Sequence, residues 1–257
     1  MEKFDLEAIT RVARKQRLSL GNAEKDYVLS AALSVIAGLP IVLVFKGGTC
    51  IKKAYYPEFR FSSDLDFAVT GKGDYSGEVR KAFENRTIHG IRFLKVRTIE
   101  REKEGNAALA VQYSSQASAA GHVDSIRTEF SAETPVILEA RKRDVLDPLE
   151  YGLPKAALEC MGLEEILAEK VHAIYHRRKP RDLYDLSYLL DKGIPVNHGM
   201  IAEKLKPLNT SLEAGTFRER TEMLGERWDY DLGKLFIEVP DFRKAQEKAM
   251  KNLFGTP

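Results

Sequence analysis

Cysteine is nearly missing from this sequence, and its scarcity removes two classes of architecture at once. Cys50 and Cys160 are the only two, and neither a zinc-site spacing nor a disulfide framework can be built from them. Long apolar runs are also lacking. No stretch approaches the roughly 20 residues that a membrane-spanning helix needs, and the opening MEKFDLEAIT has no apolar signal region. The expectation is a soluble protein of the cytoplasm, without membrane contact, whose two thiols are buried. An excess of charge of one sign is lacking too: 40 basic against 38 acidic residues leave +2, so bulk charge neither demands nor excludes a polyanionic partner. There is no GxxxxGK[ST], which removes the P-loop. No internal repeat and no low-complexity segment interrupts the chain.

What is present is an ordinary globular composition, 44% hydrophobic and 30% charged over 257 residues, long enough for one large domain or two small ones. The first forty residues read as helices, the second ended by Gly38–Pro40. Strand-length runs follow at Ile41–Phe45, Leu65–Val69, Ile91–Ile99, Ala108–Tyr113, Val123–Phe130 and Val136–Glu139. Short helices are expected at Thr49–Tyr56, ended by Pro57, and at Glu78–Asn85 after the turn-rich Gly71–Gly77. Beyond Asp147–Pro148 the pattern turns mainly helical, so a domain boundary is expected between residues 140 and 155. This mixture predicts an α+β or α/β fold rather than a sandwich. Basic residues cluster at Arg11–Arg17, at Arg141–Arg143 and at Arg177–Arg181. A solvated helix face explains such a cluster as readily as a phosphate-binding one.

Residues 45–67, FKGGTCIKKAYYPEFRFSSDLDF, concentrate the chemistry. Gly47 and Gly48 separate an apolar strand from a helix that Thr49 could help to cap. Backbone amides in such a turn can approach a phosphate because no side chain intervenes, though a plain strand-to-helix turn would use glycine as well. Extended backbone alternates its side chains, so Arg60, Ser62, Asp64 and Asp66 share one edge. Aspartate is depleted in strands, and two on one face repel; a bound cation removes that cost. Paired carboxylates are a common way to hold divalent ions for phosphoryl and nucleotidyl transfer. A third acid is usual in two-metal sites. Glu129 in IRTEF is the candidate, sharing a face with Arg127, while Asp124 falls on the apolar phase; a surface glutamate is the alternative.

Farther on, LEEILAEKVHAIYHR places Lys170 in the middle of the stripe formed by Leu163, Ile166, Leu167 and Ile174. An inward lysine wants an anion, either a nucleotide phosphate or a structural carboxylate. His172 lies off that stripe. Pro180 opens RDLYDLSYLL, with Asp182 and Asp185 on a face beside the leucines. Early acids suit any helix N-terminus, and Arg181 with Asp185 could form an i,i+4 pair, so this segment fits an active-site wall or plain structure.

Together EKDYVL (24–29), FKGGTCIKKAYY (45–56), RFSSDLDF (60–67), AEKVHAIYHRRKPRDLYDL (168–186) and, loosely, IRTEF resemble the AbiEii/AbiGii nucleotidyltransferase toxin family, within the polymerase-beta-like nucleotidyltransferase superfamily. The resemblance implies an α+β fold. Residues 1–147 would form a nucleotidyltransferase-like domain, a mixed sheet flanked by helices. Residues 148–257 would be a mainly helical domain that completes the active site. It implies transfer of a nucleoside monophosphate from a nucleoside triphosphate, releasing pyrophosphate, with Mg²⁺ or Mn²⁺ as cofactor. Gly47, Gly48, Thr49, Ser62 and Lys170 would bind nucleotide. Asp64, Asp66 and Glu129 would hold metal, and Lys170 with Asp182 or Asp185 would complete the catalytic set. The implied partners are an RNA acceptor, the 3′ end of tRNA above all, and a cognate antitoxin. A transferase acting on a protein or small molecule, or a catalytically silent nucleotide- or RNA-binding module, would use the same residues.

Overall fold

The computed structural model describes residues 4–70, 73–103, 106–115, 122–132, 135–145 and 151–255, the side chains of 100–103 excepted. The start of the Gly71–Gly77 turn and the Asp147–Pro148 transition lie outside the described residues. The chain divides into two compact units: Met1–Val136 with Ala140–Met161, and Ile137–Glu139 with Gly162–Pro257.

The first unit opens with α1 (Leu6–Gln16) and α2 (Leu20–Ile36), capped by the side chains of Asp5 and Ser19. Then come β1 (Leu43–Lys46), α3 (Gly47–Cys50), β2 (Asp64–Val69) and α4 (Tyr75–Phe83). Next are β3 (Thr87–Ile88), β4 (Ile91–Lys103), β5 (Asn106–Ser114), β6 (Asp124–Ser131), β7 (Arg141–Asp144) and β8 (Ala157–Cys160). The eight strands form one mixed sheet in the order β3-β4-β5-β6-β2-β1-β8-β7. β2 runs parallel to β6 and β1 parallel to β8, and the other pairs are antiparallel.

Alternation assigns the sheet's two faces. Phe45, Phe67 and Phe130 lie in register on adjacent strands, their rings 5.3 and 6.0 Å apart, and Tyr75 of α4 stacks on Phe130 at 5.8 Å. Phe83 of α4 meets Phe93 of β4 at 4.9 Å. These aromatics bind α4 to one face. The intervening residues, Asp64, Asp66, Arg127 and Glu129, therefore project from the other.

Several boundaries differ from expectation. The helix expected at Thr49–Tyr56 begins at Gly47, and its second half, Ile51–Tyr55, is wound as a π-helix. The helix expected at Glu78–Asn85 starts at Tyr75, because the Asp74 side chain accepts the Gly77 amide at 2.8 Å. β2 begins at Asp64, so Arg60 and Ser62 precede the strand. No strand forms at Val136–Glu139. The amides of Ile137 and Leu138 donate instead to the Glu165 carboxylate at 2.8 and 2.9 Å, and the extended segment falls later, at Arg141–Asp144.

The second unit is helical: α5 (Leu163–Arg177), α6 (Pro180–Asp191), α7 (His198–Leu205), α8 (Ala214–Gly225), α9 (Trp228–Leu232) and α10 (Phe242–Phe254). Pro180 occupies the first turn of α6, where its missing amide costs nothing. Trp228 is buried; it packs on Phe242 at 5.4 Å and donates to the Pro240 carbonyl at 2.6 Å. Lys204 of α7 is fully buried with Glu165, 2.6 Å away, and Glu169, 3.2 Å away. No helix among the described residues is long and apolar enough to cross a membrane.

Candidate active site

In the first unit the glycine turn and the aspartate strand meet directly. Antiparallel pairing sets Lys46, the last residue of β1, opposite Asp66. The chain then turns through Gly47, whose φ of 74° lies in the left-handed region. A side chain at Gly47 would overlap the Asp66 carboxylate, and one at Gly48 would come within 3.0 Å of both Arg60 Nη2 and Ser62 Oγ. So Gly47 is required by its backbone conformation and by close approach, Gly48 sits in tight contact, and each faces residues that the sequence marks as chemical. Buried Thr49 donates its hydroxyl to the Asp64 carbonyl, fixing the new helix to the strand backbone rather than capping itself.

Arg60 and Ser62 reach this place by a different route from the one expected. They are not strand residues; a buried loop delivers them. Lys52 holds that loop, donating to the carbonyls of Pro57 at 3.0 Å and Phe59 at 3.2 Å and to Gln16 Oε1 at 3.1 Å. Its burial lowers the ammonium's pKa. Lys53, next along the π segment, is buried against Asp26 of α2 at 2.9 Å and bonds Ser30 at 2.6 Å. Tyr151 donates to the same Asp26 carboxylate at 3.2 Å. The helix after the glycines is thereby anchored on two sides. Cys50 contributes no nucleophile: burial first, then the neighbouring Cys160 thiol, pushes its pKa up.

Parallel pairing of β2 with β6 puts Asp66 beside Glu129 and Asp64 beside Arg127. Arg127 Nε donates to Glu129 Oε1. Register thus sets Glu129, the residue expected as a third carboxylate, beside Asp66, with its side chain bound to Arg127. Asp124, on the opposite phase, is engaged by Lys25 at 3.4 Å and by Tyr113 at 3.0 Å. Among the described residues no three acidic, histidine or cysteine side chains converge as a ready-made metal centre. Hard carboxylate oxygens on β2 nonetheless suit Mg²⁺ or Mn²⁺, which usually take one or two protein carboxylates and complete their shells with water and substrate phosphate.

In the second unit Lys170 is buried between α5 and α6, its Nζ 2.6 Å from Asp185 and 3.2 Å from Asp182. Arg177 binds Asp182 through two bonds of 2.9 Å. Burial alone would push the Asp182 carboxyl up; Lys170 first and then Arg177 outweigh it and hold the group well below the usual carboxylate range. Both aspartates are fully buried, so they face into the helix pair rather than lying beside it. Arg178 and Lys179, by contrast, are exposed.

No motif marks Lys46, although strand alternation opposite Phe45 places it on the aspartate face. The Glu129–Arg127 bond is likewise unmarked, since a shared face does not say which side chains join.

The family model of the AbiEii toxin, a nucleotidyl transferase of type IV toxin–antitoxin systems, matches residues 31–252. Among solved structures, MenT4, a nucleotidyltransferase toxin from Mycobacterium tuberculosis, is 20% identical with a TM-score of 0.73, over 98% of this chain and 89% of its own. JHP933 from Helicobacter pylori is 23% identical with a TM-score of 0.63, over 92% of each chain. At such identities the likeness fixes the fold. No curated protein matches the sequence.

Proposed function

Since the chain belongs to the AbiEii family of nucleotidyltransferase toxins, we propose that its transfer reaction depends on a divalent cation and delivers a nucleoside monophosphate to an RNA, the 3′ end of tRNA above all. The observation that carries this reading is the packing of Gly47 and Gly48 against Asp66, Arg60 and Ser62. It brings a glycine turn free of side chains, the Asp66 carboxylate and a buried guanidinium within one residue's width of each other.

In this reading the triphosphate lies over the glycine turn. The backbone amides of Gly47, Gly48 and Thr49 and the Ser62 hydroxyl bind its oxygens, and Arg60 balances their charge. Asp64 and Asp66 would hold Mg²⁺ or Mn²⁺ together with the phosphates, and Glu129 would join them by leaving Arg127. The cation, when bound, supplies charge neutralisation and lowers the pKa of the attacking hydroxyl. Lys46, in register with Asp66, positions that carboxylate. In the same reading Lys170 binds a nucleotide phosphate, and Asp182 or Asp185, in the matching family motif, completes the catalytic set. The partners proposed are a nucleoside triphosphate, RNA and a cognate antitoxin, in the cytoplasm.

The test supplies the purified protein with each of the four nucleoside triphosphates, labelled at the α-phosphate, with Mg²⁺ and purified tRNA. Label should enter RNA and stop doing so when EDTA removes the cation. Label entering only protein or a small molecule overturns the RNA acceptor, and transfer that survives EDTA overturns the cation.

A further inference from the structure

One row of the sheet extends the site away from the glycine turn. Cross-strand register aligns Asp64 of β2 with Arg127 of β6, Ala110 of β5 and Arg97 of β4. Register partners point to the same face, so these four belong to the aspartate side of the sheet. Three strand spacings of about 4.8 Å put the Arg97 and Asp64 backbones ~14 Å apart. Along β4, Arg92 pairs with Ser114 on this face, and the register shift between Phe93 and Val96 leaves Leu94 and Lys95 together opposite Gln112. Arg92, Lys95 and Arg97 are all exposed, and among the described residues none of them makes an ion pair. They span roughly 15 Å of strand.

The ground beside them is low and polar. On β5 the same face carries Ala110, Gln112 and Ser114, and on β6 Ser125 stands opposite Gln112. The aromatics of these strands, Phe93, Tyr113 and Phe130, are buried on the other side. α4 packs on that other side through Phe83 and Tyr75. A line of cations above a shallow floor, ending in register at the catalytic strand, is complementary to a flexible string of negative charges whose terminus must reach the nucleotide. A floor without aromatics gives no stacking platform, so recognition here would be of phosphate and sugar rather than of base.

We propose that the β4–β5 part of the aspartate face binds the phosphate backbone of the acceptor RNA, with Arg92, Lys95 and Arg97 as its cations. This rests on the nucleotidyltransferase reading with an RNA acceptor. It adds which surface holds the acceptor, and it predicts affinity that is sensitive to salt and nearly indifferent to sequence close to the reacting end.

The test compares wild type with Arg92→Gln/Lys95→Gln/Arg97→Gln and with the single variant Arg97→Lys. Binding of a fluorescein-labelled purified tRNA pool is followed by anisotropy from low to high salt, and transfer of labelled nucleotide to the same RNA is measured in parallel. A fluorescent nucleoside triphosphate analogue reports the nucleotide site separately. Losing three single-strand contacts should lower the salt slope of log K by about 2 and weaken RNA binding by about 10- to 100-fold at physiological salt. Nucleotide binding should be unchanged, and Arg97→Lys should keep most of the RNA affinity. A triple variant that binds nucleotide and labels RNA with wild-type affinity and slope overturns the surface while leaving the RNA acceptor intact. A wild-type protein that neither binds nor labels RNA overturns both. Poly-glutamate binding as tightly as RNA assigns the surface to acidic protein and overturns the proposal.

Discussion

Asp64 and Asp66 stand half-exposed on a strand whose opposite face is core, whereas Asp182 and Asp185 are wholly buried on a helix. Both pairs are unusual for their setting, and each is tolerated for a different reason. Asp182 and Asp185 are neutralised by protein cations, Lys170 and Arg177, which folding itself brings to them. Asp64 and Asp66 keep contact with solvent beside a turn stripped of side chains. The first arrangement has its compensating charge within the protein; the second leaves room for a ligand to supply charge. Burial and the source of the compensating cation separate the two, and aspartate spacing alone does not.

The comparison breaks most sharply at Lys170. Replacing it by methionine keeps the packing volume but leaves two buried carboxylates facing each other with one cation lost. The expected cost is about 3–5 kcal/mol. Trp228, the single tryptophan, lies buried in the same unit, so its fluorescence during urea unfolding reads the loss directly. Adding Asp185→Asn should restore part of it. A Lys170→Met protein as stable as wild type would mean that the buried aspartates do not need their lysine.

The next effect falls on activity and spares the fold. Asp66→Asn should slow transfer by about 10²- to 10³-fold, roughly 3–4 kcal/mol of transition-state stabilisation. Its unfolding midpoint should stay level or rise slightly, because one of two like charges on a shared face is removed. Single-turnover transfer and a thermal melt on the same preparation check both halves. Wild-type turnover would sink the role given to Asp66; a large drop in the melt would move it into the same class as Asp182.

Much of this was written in local pattern. The alternation of DLDF put Asp64 and Asp66 on the face opposite Leu65 and Phe67, and the apolar stripe of α5 turned Lys170 inward. Both needed only the period of a strand or a helix. The family was legible for the same reason, since its motifs are short and contiguous. What stayed hidden depended on register between distant segments. Nothing near Gly47 says that Asp66 will press against it; that follows from the pairing of β1 with β2. Nothing in Val136–Glu139 says that Glu165 will capture its amides and withhold them from a ladder. The β8 segment, ALEC, is four residues long, too short to display a strand's alternation, and its strand character comes from pairing with β1 and β7. The inward turn of Asp182 and Asp185 likewise depended on where Lys170 would sit.

The smallest effect concerns acid, and it tests whether the buried pair is held by charge. Asp182 has its pKa depressed in the folded state by Lys170 and Arg177 against the opposing effect of burial. A carboxyl lowered on folding stabilises the protein above its unfolded pKa, about 3.9, and that contribution is lost as pH falls toward the folded value. Between pH ~4 and ~2 the unfolded chain therefore binds a proton at this position that the folded chain refuses, and stability declines with acidification. Asp182→Asn removes the titration. It should be less stable than wild type at pH 7, with a pH slope in the acid range shallower by up to about 1.4 kcal/mol per unit. Urea midpoints read by Trp228 at pH 7, 4 and 3 measure both quantities. Equal slopes in the two proteins would mean that Asp182 is held by packing and hydrogen bonds alone, and the contrast with the exposed aspartates of β2 would lose its electrostatic basis.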